Sequence, residues 1–255
     1  MPIVRIGTGL VYYAHVPKCG GTSVEDYLRD RFGPLGFLNR AFTALPAASR
    51  WSATSPQHID WASLSQLFPP DYFTAAFAVV RHPVAHAFSA WQFQAEVEKV
   101  VSPDLAFAVW LRQQAEFVHK NPFLADNHLR PQGDFIGEDC TIFHLEHGLE
   151  AIIPWLDQLA GNQTGPRAMA HSNKGAAAIG AKPIPSSADI ALIAGIYAGD
   201  FARFGYAPDQ RLPLAPMPDP GPDFLAQAAA ARARAGRLIP RTTARIKRRL
   251  RKWLG

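Results

Sequence analysis

Along the 255-residue chain, short apolar runs alternate with stretches in which apolar positions recur at helical spacing. Residues 10–16 (LVYYAHV) form a β-rich run that Pro17 ends. Gly20 and Gly21 follow, then Thr22 and Ser23 precede apolar positions at Val24, Tyr27, Leu28 and Phe32. This predicts a strand, a glycine turn and a helix capped by Thr or Ser. Residues 72–80 (YFTAAFAVV) predict a second buried strand. Pro83 then sits where a first helical turn tolerates it, and that helix is expected to run to about Val100. Another helix fits 104–119, a short strand 141–145, and a helix about 149–159. Ser186 is expected to open a helix reaching about Gly199. Residues 39–55, rich in Ala, Ser and Pro, read as irregular.

Strands alternating with helices predict an α/β domain with a mostly parallel central sheet. Pro and Gly gather at 208–222 (PDQRLPLAPMPDPGP), the pattern of a linker. The expected organisation is a domain at 1–207, a linker at 208–223 and a basic tail at 224–255.

Composition narrows the class. At 48% hydrophobic and 18% charged residues the chain can bury a full core, which excludes a disordered, collagen-like or disulfide-scaffold protein. No apolar run reaches the roughly 18 residues of a spanning helix. Residues 1–18 lack the order of charge, apolar stretch and cleavage site of a signal peptide, so a soluble, cytoplasmic chain is expected. Cys19 and Cys140 stand far apart without metal-ligand spacing, which reads as two free thiols in a reducing compartment. The Ala- and Arg-rich usage suggests a bacterial source.

The net charge of +5 is unevenly placed. Ten of the 26 Lys and Arg lie in 224–255, which holds no Asp or Glu, so the remaining 16 face 21 acidic residues. The body is therefore not expected to bind nucleic acid. Residues 241–255 read as an amphipathic helix with Ile246, Leu250, Trp253 and Leu254 on one face. Such a helix suits an anionic membrane surface, which would make the protein peripheral there. A polyanionic acceptor, or plain solvation, fits the same pattern.

Two motifs carry candidate chemistry. The first is P-K-C-G-G-T-S, residues 17–23. A strand feeding a glycine turn and a helix start offers free N–H groups and the positive end of the helix dipole to an anion. Lys18 adds a full charge, and Thr22 and Ser23 add hydroxyls. The lysine precedes the glycines, unlike the Gly-Lys-[Ser/Thr] of nucleoside-triphosphate P-loops. In the second motif, V-V-R-H-P-V-A-H-A-F-S-A-W at 79–91, Arg81 ends a strand and Ser89 lies in the next helix. Such a pair can meet one phosphate. Between the motifs lies S-P-Q-H-I-D-W, whose His58 has the chemistry of a general base near neutral pH.

A-H-V-P-K-C-G-G-T-S resembles the 5′-phosphosulfate loop of sulfotransferases that use 3′-phosphoadenosine-5′-phosphosulfate (PAPS). The nearest likeness is to the group containing heparan sulfate 2-O-sulfotransferase and its bacterial relatives. There the usual loop is H-I-P-K-T-G-G-T-S, and here Cys19 replaces the threonine. The second motif resembles that family's 3′-phosphate motif, V-R-[DH]-P-x-x-R-x-x-S, with His86 where its second arginine stands. Residues 126–137 (DNHLRPQGDFIG), 141–146 (TIFHLE) and 196–206 (IYAGDFARFGY) resemble further family segments, so the likeness spans about 10–206.

The resemblance implies a P-loop-like, three-layer domain that moves a sulfuryl group from PAPS to a hydroxyl, leaving PAP. The acceptor class it suggests is a carbohydrate or glycolipid, and its chemistry requires no metal. Lys18, Cys19, Gly20, Gly21, Thr22 and Ser23 would hold the 5′-phosphosulfate, and Arg81 and Ser89 the 3′-phosphate. Lys174, in the loop 172–175, is a further candidate for that phosphate. His58 would be the base and Lys18 its catalytic partner. Asn127, Arg130 and Gln132 are candidates to line the acceptor cleft. Glu146 reads as structural, as do Tyr197, Phe201, Phe204 and Tyr206. Two other readings stay open: a nucleotide-dependent kinase, which the position of Lys18 opposes, and a non-catalytic polyanion- or membrane-binding module.

Overall fold

A computed structural model describes residues 1–69, 71–121, 123–170, 184–219, 221–227 and 229–230, without the side chains of Val118 and His119. Lys174, its loop 172–175 and the tail segment 241–255 lie outside the described residues.

A four-stranded sheet runs through the domain in the order β1 (Ile3–Ile6), β2 (Gly9–Ala14), β3 (Ala75–Val80) and β4 (Thr141–His144). β1 and β2 form an antiparallel hairpin pairing Ile6 with Gly9. Its two-residue turn is opened by Gly7 at φ 58°, the left-handed geometry that tight hairpins need. β2, β3 and β4 are parallel, with Ala14 opposite Ala78 and Val80 opposite His144. The α/β class and mostly parallel sheet are as expected, whereas β1 is an edge strand that the apolar pattern does not announce.

The flanking helices are α1 (Gly21–Phe32), α2 (Trp61–Leu64), α3 (Pro83–Glu96), α4 (Phe107–Lys120), α5 (Ile152–Ala160), α6 (Ser187–Ile196) and α7 (Ala198–Phe204). Three differ from expectation. α3 stops at Glu96, four residues early, as the chain turns through left-handed Lys99 at φ 55°. α1 has Gly20 as its cap, at φ 83°, and no side chain caps it, so Thr22 and Ser23 lie inside its first turn. The predicted 186–199 helix is two. Ser186 and Asp189 form a capping box at its start, and the helix breaks at Tyr197, whose hydroxyl is held by the Leu129 carbonyl at 2.8 Å.

The core is aromatic and aliphatic. Tyr13 stacks on Phe77 at 4.8 Å, and Phe77 meets Trp155 at 5.1 Å. Burying each such side chain stabilises the fold by about 1.5–3 kcal/mol. Tyr197, Phe201, Phe204 and Tyr206 are buried in this core. Past residue 207, the Leu214 N–H donates to the Gly205 carbonyl, and Phe224 is buried beneath the Arg167 guanidinium. Cys19 and Cys140 are free thiols. Among the described residues no helix is long and apolar enough to cross a membrane.

Candidate active site

Because β2 and β3 are parallel neighbours, the loops leaving their C-terminal ends emerge side by side, where open α/β sheets bind ligands. The first loop carries Pro17 to Gly20, the second Arg81 and His82. Arg81 Nη1 donates to the Lys18 carbonyl at 3.3 Å, joining the two motifs directly.

The first loop is shaped by two left-handed residues, Lys18 at φ 64° and Gly20 at φ 83°. They turn the chain so that α1 starts with its amide end at the sheet edge, where the first N–H groups of a helix have no carbonyl one turn earlier. Gly21 has a separate reason to be glycine. A Cβ there would fall 1.8 Å from Nε2 of His15, whose ring lies against the turn. His15 Nδ1–H donates to Glu25 at 2.6 Å, and Arg40 holds the other oxygen of that carboxylate. Burial lowers the His15 pKa to about 4 against the pull of Glu25, so the ring is neutral.

Lys18 places Nζ 3.5 Å from the centre of the Phe93 ring. Burial lowers its pKa to about 8; Glu98 opposes that shift and Arg81 adds to it. Cys19 is fully buried, its thiol 3.4 Å from Gln132 Oε1, and burial pushes its pKa far above the ordinary thiol range. The side chain packs in the core beneath the loop.

Gln132 is buried and clamps the backbone of Arg81. It accepts from the Arg81 N–H and donates to the Arg81 carbonyl, both at 2.8 Å. His82 caps α3, accepting from the Val84 N–H at 3.2 Å, while Glu146 accepts from the His82 N–H at 2.8 Å and from the Tyr206 hydroxyl. Glu146 is thus a structural carboxylate. His86 is buried with a pKa lowered to about 3, first by burial and then by Arg81. Its neutral ring donates from Nε2 to the Pro17 carbonyl at 3.1 Å. The residue at the family's second arginine position therefore pegs α3 to the first loop. Ser89 lies half-buried further along α3.

His58 is buried, and its Nδ1 donates to Asp126 Oδ2 at 2.6 Å. The N–H and hydroxyl of Ser55 also donate to that carboxylate, at 2.6 and 2.7 Å. Burial alone would raise the Asp126 pKa; these bonds outweigh it and hold the carboxyl below its usual range. Asp126 lies in a run of three left-handed residues, Ala125, Asp126 and Asn127, at φ 49°, 54° and 65°. Asn127 is fully buried and donates to the His58 carbonyl at 2.8 Å. His58 meets the ring of His128 at 5.1 Å, and His128 meets Phe93 at 5.0 Å. Phe93 and His128 thereby connect His58 to Lys18.

Of the three residues expected at the acceptor cleft, Asn127 and Gln132 are turned to backbone clamping. Arg130 pairs with Asp134 and lines a separate surface cleft with Trp61 and Arg203. The sequence reading did not single out Asp126, Glu98 or His128. Asp126 stood one residue before its candidates, and only the left-handed run reveals why it faces His58. No metal was expected, yet donor atoms of His58, Asp126 and His128 lie within 4.8 Å of one another, close enough to hold a metal ion.

A family model described as the sulfotransferase family matches residues 3–207, and the chain belongs to that family. No curated protein and no solved structure matches it. Sulfuryl transfer is thus the general chemistry of this family.

Proposed function

We propose that the protein transfers a sulfuryl group from PAPS to an acceptor hydroxyl, with His58 as general base. The observation that carries this reading is the convergence, at one edge of two parallel strands, of an anion-binding turn, two cations and a histidine held by a carboxylate. The donor set suits a polyanionic nucleotide: Lys18, Arg81 and the amide end of α1 behind a left-handed glycine turn. The P-loop-like, three-layer arrangement and the pairing of Arg81 with Ser89 on the 3′-phosphate belong to this proposal, as does a hydroxyl acceptor.

PAPS supplies the sulfuryl group, and the residues act around it. Asp126 holds Nδ1–H of His58, which leaves the lone pair of Nε2 to take the proton of the acceptor hydroxyl. The new S–O bond forms as the bond to the 5′-phosphate breaks. Lys18 and the amides opening α1 balance the charge that builds on that leaving oxygen. The proton ends on His58 and the electron pair on PAP. The direct hydrogen bond from Arg81 to the Lys18 carbonyl ties the two proposed phosphate sites together.

Calorimetric titration with PAP, without Mg²⁺ and with 5′-AMP and ATP as competitors, tests this. Tight binding that requires the 3′-phosphate, and that Arg81→Ala weakens far more for PAP than for 5′-AMP, is expected. A preference for Mg·ATP would put the kinase reading in its place. Equal weakening by Arg81→Ala would move the 3′-phosphate elsewhere.

A further inference from the structure

A cleft of about 600 Å³ opens beside Asp126, the partner of the proposed base, and none of the residues proposed to hold the donor lines it. Its walls come from the irregular segment 42–55, the end of α3, α4 and residues 123–126. One end closes on Ser55 and on Asp126, the residue that holds His58. Glu98 also lines it, and that carboxylate acts directly on Lys18. Both residues of the proposed chemistry therefore adjoin this cleft through one neighbour each.

The lining has a definite chemical character. Phe117 and Phe123 line it while 48% and 40% exposed, aromatic surface that the described residues leave uncovered. Phe42 and Val101 add further apolar wall. Among the described lining residues Arg50 is the one cation, and its guanidinium donates to the carbonyls of Leu45, at 2.9 Å, and Thr43. Against it stand the carboxylates of Glu98 and Asp126. A sulfated or uronate-bearing chain would meet acidic groups where it needs a basic stripe.

We propose that this cleft is the acceptor site. Its acceptor is a hydroxyl compound with an apolar body, uncharged or bearing an amine, and not a polyanionic polysaccharide. The aromatic walls hold the body, and Glu98 faces the amine where there is one. This inference rests on the sulfuryl-transfer reading above.

The test begins with PAP calorimetry on the full chain. Radiolabelled PAPS is then offered with 4-phenyl-1-butanol, with 2-amino-4-phenyl-1-butanol, and with an N-sulfated heparan oligosaccharide. Both phenyl compounds should be sulfated and the oligosaccharide should not. Phe117→Ala should raise KM for both about tenfold and leave PAP affinity intact, which also shows that the variant is folded. Glu98→Gln should raise KM several-fold more for the amine-bearing compound than for the alcohol, over any effect through Lys18 that the two share. If PAP binds but the oligosaccharide is the better acceptor, or neither phenyl compound is sulfated, or Phe117→Ala changes nothing, the acceptor assignment is overturned and the donor reading stands. If PAP does not bind, both fall together.

Discussion

Asp126 accepts three hydrogen bonds on a backbone turned left-handed at three consecutive residues, one of them alanine. Such a run costs energy for non-glycine residues and persists only where its surroundings fix it. Here Ser55 holds the carboxylate and Asn127 holds the backbone of His58. The geometry fixes which nitrogen of His58 carries the proton. Asp126→Asn keeps the shape and removes the charge, so kcat should fall by about 10²–10⁴-fold with PAP affinity unchanged. Equal loss of kcat and PAP affinity in that variant would make Asp126 a structural residue only. Gly21 is a sharper case of steric necessity. Gly21→Ala sets a Cβ 1.8 Å from His15 Nε2, so either the ring or the start of α1 must shift. PAP affinity should drop at least tenfold by calorimetry; wild-type affinity would mean the turn relaxes freely. The glycines of this turn were legible in the sequence. The ring that demands one of them was legible only as a histidine six residues upstream.

At the scale of elements, the proposed phosphate edge is assembled from pieces that sequence separates widely. β3 hands Arg81 to α3, and Gln132, some fifty residues on, satisfies both backbone groups of Arg81. Gln132→Ala would leave the half-buried N–H and carbonyl of Arg81 without this partner, each costing at most about 1–3 kcal/mol. A clear fall in thermal midpoint, with weakened PAP binding, is the expected outcome in a melt followed by circular dichroism. An unchanged midpoint would show that water replaces the clamp. Most elements could be read from pattern, because β2, β3, α1 and α3 carry their own periodicity and punctuation. The cap of α1 could not, since Gly20 in a left-handed turn ends the loop without help from Thr22 or Ser23. The break of α6 from α7 could not either, because it depends on Leu129 accepting from Tyr197. The hairpin strand β1 was hidden by its length of four residues.

For the whole molecule, the telling group is Lys18, whose surroundings come from several elements. Phe93 and Glu98 reach it from α3 and just beyond, and Arg81 from the end of β3. Burial lowers its pKa from 10.5 to about 8. Between those values the unfolded chain binds a proton that the folded chain does not, so this group's contribution to stability improves as pH rises from 8 to 10.5. Binding of PAP should act in the opposite sense, because its phosphates raise the lysine's pKa. Near pH 8.5 PAP binding should therefore take up a fraction of a proton, and affinity should decline as pH rises further. Calorimetry in buffers of differing ionisation enthalpy measures that uptake. It should vanish in Lys18→Arg, and its absence in the wild type would remove Lys18 from the phosphate site.

The sequence alone determined the alternation of strands and helices, the family, and the order of the two candidate motifs, because these are local: a run, a turn, a spacing. Tertiary structure decided what those motifs are worth together. It set β2 beside β3, so that Arg81 bonds to the loop of Lys18. It set Asn127 and Gln132 against backbone groups of His58 and Arg81, and it brought Asp126 to His58 across 68 residues. Hydrogen bonds of that reach follow from packing, and no periodicity along the chain records them.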